Sequence, residues 1–181
     1  MKLLPLPVEI ALVLIVLSAA FSDIRSRSIP NWLTLGGIVA GLGLNTYATG
    51  IEGLKFSFIG FGVAALIFLP LFMIRFLGGG DLKLMAAVGA CAGAANLFGI
   101  FIFDAIFGGI AALILVIVRG RGKQTLRNTG QMLASLFKGK APYKENAELE
   151  AGGEKSLGLP RAVTIAAATL LILWASRVPV R

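Results

Sequence analysis

No histidine occurs in these 181 residues, and there is a single cysteine, Cys91. Without histidine there is no Ser-His-Asp triad, no Cys-His dyad and no histidine-based metal site. Acid–base chemistry then falls to Asp, Glu, Lys, Tyr or Cys91. One cysteine excludes an intrachain disulfide and the paired spacing of a structural zinc site, so Cys91 reads as packing among small residues and says nothing of the redox compartment. Charge is scarce as well, at 14% of residues. A soluble fold has too little polar surface at that composition to cover its core.

What is abundant is apolar surface: 57% of residues are hydrophobic and the mean hydropathy is +0.87. Lipid is the solvent that suits this, at about 20 apolar residues per helical crossing. The chain therefore reads as all-α, a polytopic membrane protein whose residues 1–181 form one membrane-embedded domain. The net charge of +8 points to anionic lipid head groups and not to nucleic acid.

Leu3 to Ser22 carries only Glu9, while Ile29 to Ile51 and Phe56 to Ile74 carry no charge, giving three spans of suitable length. Leu84 to Val118 is 35 residues with Asp104 as its only charge. As one helix it would be about 52 Å long against a hydrocarbon core of roughly 30 Å. It is expected to fold back at Gly93-Ala94-Ala95-Asn96, giving a fourth span from about Leu82 and a fifth ending near Val118. A sixth, Ala162 to Ser176, is short. With the amino terminus outside, thirteen Lys and Arg fall on the inside connections and four outside, which supports six spans in that orientation. A cleaved signal peptide is the competing reading of the first run, with Ser18-Ala19-Ala20 as its cleavage site; Arg25 and Arg27 directly after it resist export.

The basic connection at about 119–160 is the one sizeable polar segment. Within it Leu126, Leu133 and Phe137 suit a helix lying in the interface over Thr125 to Phe137, and a loosely structured basic loop fits equally well. Glu145 to Gly158 is acidic, Gly-rich and expected to be mobile.

There are three aspartates, Asp23, Asp81 and Asp104, each in or beside a hydrophobic run, where an ionisable group is expensive and functional by default. Asp23 follows the first span and Asp81 precedes the fourth, so the topology brings two carboxylates to one membrane face. Asp104 is expected near mid-membrane or toward the outer half. Two carboxylates at one depth suit aspartyl proteolysis, one ionised to take a proton from water and the other protonated to polarise the scissile carbonyl. Taken singly, each reads equally well as an interfacial residue ending a helix. Gly78-Gly79-Gly80 strips side chains from the backbone before Asp81, leaving room for an extended peptide and for an unusual local turn. Pro30 suits a helix start and Asn31 a polar interfacial position. Lys83 reads either as a partner of one carboxylate or as a snorkelling lysine.

Asp23 with Ile29-Pro30-Asn31 shortly after it, and Gly78-x-Gly80-Asp81 continuing into Lys83-Leu84, resemble the type IV prepilin peptidases, which are GxGD-type aspartyl proteases. A weaker likeness is Leu159-Pro160 leading into the small residues from Ala162 to Ala168; the family usually has Tyr where this chain has Arg161, so that stretch assigns no site residue. Long members carry a cytoplasmic insertion with paired cysteines; this chain has neither and is similar to the short branch serving Flp/Tad-type pili. The methylation that long members perform with S-adenosylmethionine is left open here.

The resemblance implies that Asp23 and Asp81 are the catalytic pair, with Gly78, Gly80, Lys83, Pro30 and Asn31 as substrate-binding or supporting positions. It implies a membrane endopeptidase that removes the short basic leader from prepilin or pseudopilin substrates at the cytoplasmic face of a bacterial or archaeal inner membrane. Neither a metal nor another cofactor is expected. Two rivals are a small proton-coupled transporter, which would use a midplane group such as Asp104, and a structural membrane subunit of a secretion system, which would need none of the aspartates.

Overall fold

The computed structural model describes residues 3–74, 77–118 and 161–177, and these are helical with short turns between. Both segments singled out in the 119–160 connection lie outside the described residues. Helix α1 (Leu6–Ser26) buries Val8, Leu12, Ile15, Val16 and Ala19, spaced along one helical face, and exposes Leu6, Ile10, Leu14, Leu17 and Phe21 on the other. A helix that is apolar all round belongs in lipid. It stops at Arg27, in the left-handed conformation with φ 50°, whose N–H returns to the Asp23 carbonyl at 2.9 Å.

Pro30 leads into α2 (Asn31–Thr49), and the single residue Gly50, at φ 63°, reverses the chain into α3 (Ile51–Met73). Helix α4 (Gly79–Val118) is divided at Gly93, where φ 73° and ψ 169° interrupt the helix. That backbone conformation belongs almost to glycine alone, and a side chain there would also run into the Phe56 ring. Every residue from Leu84 to Gly93 is buried, so the first limb of α4 runs through the middle of the bundle. Its neighbours come close because it is built of small residues; at Gly60 of α3 even a methyl group would collide with the Gly89 carbonyl. Helix α5 (Arg161–Arg177) packs against α1 and α4.

The expected break at Gly93 and the all-helical fold are found. The helices are longer than the charge-free runs at two ends: α1 continues past Ser22 through Asp23 to Ser26, and α3 begins at Ile51 with Glu52 and Lys55 paired at 2.9 Å. Polar residues at the interface keep helical geometry, so a charge-free run marks only the part that lies in hydrocarbon. Among the described residues three helices, α1, α3 and α4, are long and apolar enough to cross a membrane. Helix α2 carries Asn31, Asn45 and three threonines, and α5 has 17 residues. The count of six crossings is therefore not carried by the described helices.

Candidate active site

Asp23 stands in the last turn of α1 and Asp81 in the first turn of α4. Ser22 Oγ donates to the Ser28 carbonyl at 2.8 Å and Ser26 Oγ to the Ser22 carbonyl at 2.8 Å, so hydroxyls within the segment tie down the chain reversal after Asp23. The Asp23 carboxylate is left to reach α5, where its Oδ2 accepts the Ala162 N–H at 3.0 Å. An anion on a free N–H in the first turn of a helix is favourable twice over, through the hydrogen bond and the helix dipole.

Asp81 is the third residue of α4, and its carboxylate turns back to accept the Gly78 backbone N–H, the acidic half of a capping box. Its Oδ2 also faces Arg161 Nε at 3.7 Å; the Asp81 side chain is 14% exposed and that of Arg161 40%. Arg161 and Ala162 are adjacent, so one dipeptide at the start of α5 holds both aspartates that the sequence singles out. Asp81 also lies within Coulombic reach of Asp23 and Asp104.

The two motifs are tied together a second time. Lys83 Nζ donates to Asn31 Oδ1 at 2.9 Å, so this lysine joins α4 to the start of α2. Ile29 stands against Gly80, where a methyl group would lie 3.5 Å from its side chain. Pro30 caps α2, its carbonyl accepting from Leu33 N at 3.1 Å. Gly78 faces the Asp81 carboxylate, a methyl there coming 3.5 Å from Oδ2. Among the described residues, positive φ is confined to Arg27, Gly50 and Gly93. The glycine run before Asp81 thus provides space and not the unusual turn that its composition allows.

Asp104 is placed differently from the sequence expectation. It is 5% exposed, and its Oδ1 lies 2.6 Å from Thr164 Oγ1 in the first turn of α5. Asp81 is twelve residues before Gly93 and Asp104 eleven after it, so folding back at Gly93 returns Asp104 to the depth of Asp81 and not to the middle of the membrane. All three aspartates therefore meet the first turn of α5, at positions 161, 162 and 164. Among the described residues no group of three or more His, Cys, Asp or Glu is close enough to hold a metal ion.

Arg161 and Thr164 are the site residues that the sequence reading leaves out. One signal was present: a cation at the first position of a helix opposes the helix dipole, and it is stable there only where anions surround it. Beside Asp23, between α1 and the start of α2, lies an open and mainly apolar cleft of about 440 Å³ lined by Leu17, Phe21, Ser22, Pro30 and Trp32 among others.

Residues 10–113 match the model of the type IV leader peptidase family, a stretch that includes all three aspartates and stops short of α5. A prepilin leader peptidase/N-methyltransferase of Myxococcus xanthus (strain DK1622) is 25% identical over 126 residues, which is 66% of this chain and 38% of that relative. The chain thus spans well under half the length of the curated relative it matches. No solved structure matches.

Proposed function

This chain belongs to the type IV leader peptidase family, and from that premise we propose that it is a membrane aspartyl endopeptidase acting on prepilin or pseudopilin substrates. It removes a short basic leader at the cytoplasmic face, with Asp23 and Asp81 activating water between them. The observation that carries this reading is the meeting at Arg161 and Ala162 of two carboxylates that lie 58 residues apart in sequence on different helices.

The chemistry needs only the two side chains. One carboxylate takes a proton from water as the water oxygen bonds to the scissile carbonyl carbon. The other, protonated, donates to the carbonyl oxygen. Collapse of the tetrahedral intermediate breaks the C–N bond; the departing amine takes up the proton held by the first carboxylate, and one hydroxyl of the intermediate returns its proton to the second as the new carboxyl group forms. Gly78 leaves the approach to Asp81 Oδ2 free of side chain. The apolar cleft at Leu17, Phe21 and Trp32 receives the start of the substrate's hydrophobic helix, so that the junction with the basic leader lies at Asp23. The six-crossing topology with the site inside belongs to the same proposal. The transporter reading loses its main support, because Asp104 sits in the cluster and not alone at the midplane.

The test is conversion of a prepilin-like substrate, with a basic leader followed by an apolar helix, by the purified full chain in detergent. Asp23→Asn and Asp81→Asn are each expected to abolish conversion while the protein stays folded, and the double variant is expected to be no worse than either, since residues acting as a unit are not additive. Near-normal turnover by either single variant would overturn the reading.

A further inference from the structure

Thr164 Oγ1 has two short oxygen contacts: Asp104 Oδ1 at 2.6 Å and the Arg161 carbonyl oxygen at 2.8 Å. A threonine hydroxyl carries one proton, whereas a carbonyl oxygen and an ionised carboxylate only accept. With Asp104 ionised, the single hydroxyl proton would have to serve both acceptors, leaving at least one of these two short contacts poorly bonded. Both are hydrogen bonds at once when Asp104 supplies a proton: Asp104 Oδ1–H donates to Thr164 Oγ1, and Thr164 Oγ1–H donates to the Arg161 carbonyl. Donation to a carbonyl one turn back is the ordinary habit of a threonine in a helix. Thr169, further along α5, donates to the Ile165 carbonyl at 2.7 Å in the same way.

The charges around Asp104 agree with this count. Asp81 stands on the first limb of α4, Arg161 on α5 and Asp23 at the end of α1. The Arg161 guanidinium is engaged with Asp81, and Asp23 takes the Ala162 N–H. With Asp104 neutral the cluster holds two carboxylates and one guanidinium. Ionising it would add a further negative charge beside the Asp23 and Asp81 carboxyls, on the most buried of the three aspartates.

We infer that Asp104 carries its proton in the resting protein and serves as a positioning residue, donating through Thr164 to fix the first turn of α5 that holds Asp23 and Asp81. The positioning half rests on the peptidase reading above; the proton on Asp104 does not. The Asp104–Thr164 pair touches neither the proposed water nor the scissile bond. It acts through the Ala162 N–H and the Arg161 side chain.

Two measurements decide it. The infrared difference spectrum of wild type minus Asp104→Asn, in detergent at neutral pH, should show the loss of a carboxylic acid C=O band that shifts in D2O; loss of a carboxylate band pair in its place overturns the inference. In the cleavage assay Asp104→Asn, whose amide can still donate to Thr164, should retain most turnover and an unchanged pH profile. Asp104→Leu and Thr164→Val should each lose about tenfold, as befits one buried hydrogen bond, and Thr164→Ser should recover it. If Asp104→Asn falls as far as Asp104→Leu, or moves the acid limb of the profile, an ionised carboxylate was in use and the inference fails. A wild type that cleaves nothing counts against the peptidase reading alone, since the infrared band still decides the proton.

Discussion

A carboxylate in the third position of a helix can turn back onto the N–H just before that helix, and Asp81 does so onto Gly78. The pairing fixes where Oδ2 points, and the missing side chain at Gly78 keeps the space beside it open. An alanine methyl there would lie 3.5 Å from Oδ2, an ordinary contact, at a residue whose φ is not positive. Gly78→Ala should therefore fold normally, with an unchanged unfolding midpoint in detergent. It should still lower kcat/KM for a prepilin-like substrate by about tenfold to a hundredfold, because a displacement of less than an ångström in the approach of the peptide is enough to cost that much. Unchanged kcat/KM would mean that the peptide does not pass Gly78. Both aspartates were legible in the sequence, since a carboxylate beside a hydrophobic run is costly wherever it lies. Their partners were not, because the Ala162 N–H is 139 residues from Asp23 and only the docking of α5 brings it there. Lys83 was read as a partner of one carboxylate or as a snorkelling lysine, and its bond is instead to Asn31 on another helix, a pairing that only the docking of α2 on α4 reveals.

Among the contacts away from the aspartates, close backbone approach and the buried amide of Asn45 hold α2, α3 and α4 together. Asn45 Nδ2, on α2, lies 2.9 Å from Ser57 Oγ on α3 and 3.3 and 3.2 Å from the carbonyls of Ala90 and Cys91 on α4. Asn45→Ala should cost about 1–2 kcal/mol, the usual scale for a hydrogen bond between helices in lipid. Gly60→Ala should cost more, about 1–3 kcal/mol or above, because its methyl would meet the Gly89 backbone and two helices would have to part. Unfolding in mixed micelles measures both, and the ranking is wrong if Asn45→Ala proves the worse. Turnover per folded molecule should stay near normal in each, as neither residue touches the cluster at α5. At this scale the break was readable from length, since a 35-residue apolar run is too long for one crossing, and its place from the small and polar stretch Gly93 to Asn96. The consequence for Asp104 followed from the same break, but it needed counting outward from Gly93 in both directions. The true extent of α1 and α3 was not readable, because interfacial residues are helical without being apolar.

Helices α1 and α5 run antiparallel and are pinned at both ends. Ala162 meets Asp23 at one end, and at the other Arg177 pairs with Glu9 at 2.7 Å. From Glu9 to Asp23 is fourteen residues, about 21 Å of helix, which is shorter than the roughly 30 Å hydrocarbon core. At least one of these polar ends must then lie inside the edge of the hydrocarbon, or the bilayer must thin around it. In the proposed reading the carboxylates act at such a boundary, where a basic leader meets a membrane helix, and the uneven charge of the connections favours that end inside. Ser26 belongs to the same end as Asp23, while Tyr47, 89% exposed, belongs to the Glu9 end because α2 runs back from Asn31. Cysteines placed singly at these two positions in a Cys91→Ser background test the orientation. The background is suitable because Cys91 is buried with its thiol directed at the Gly37 carbonyl, and a serine hydroxyl can donate to the same oxygen. An impermeant maleimide should label Tyr47→Cys in intact cells and Ser26→Cys only in inverted vesicles. Labelling of both from one side would overturn the topology, and labelling of each from the side opposite to that expected would move the carboxylates to the outer face.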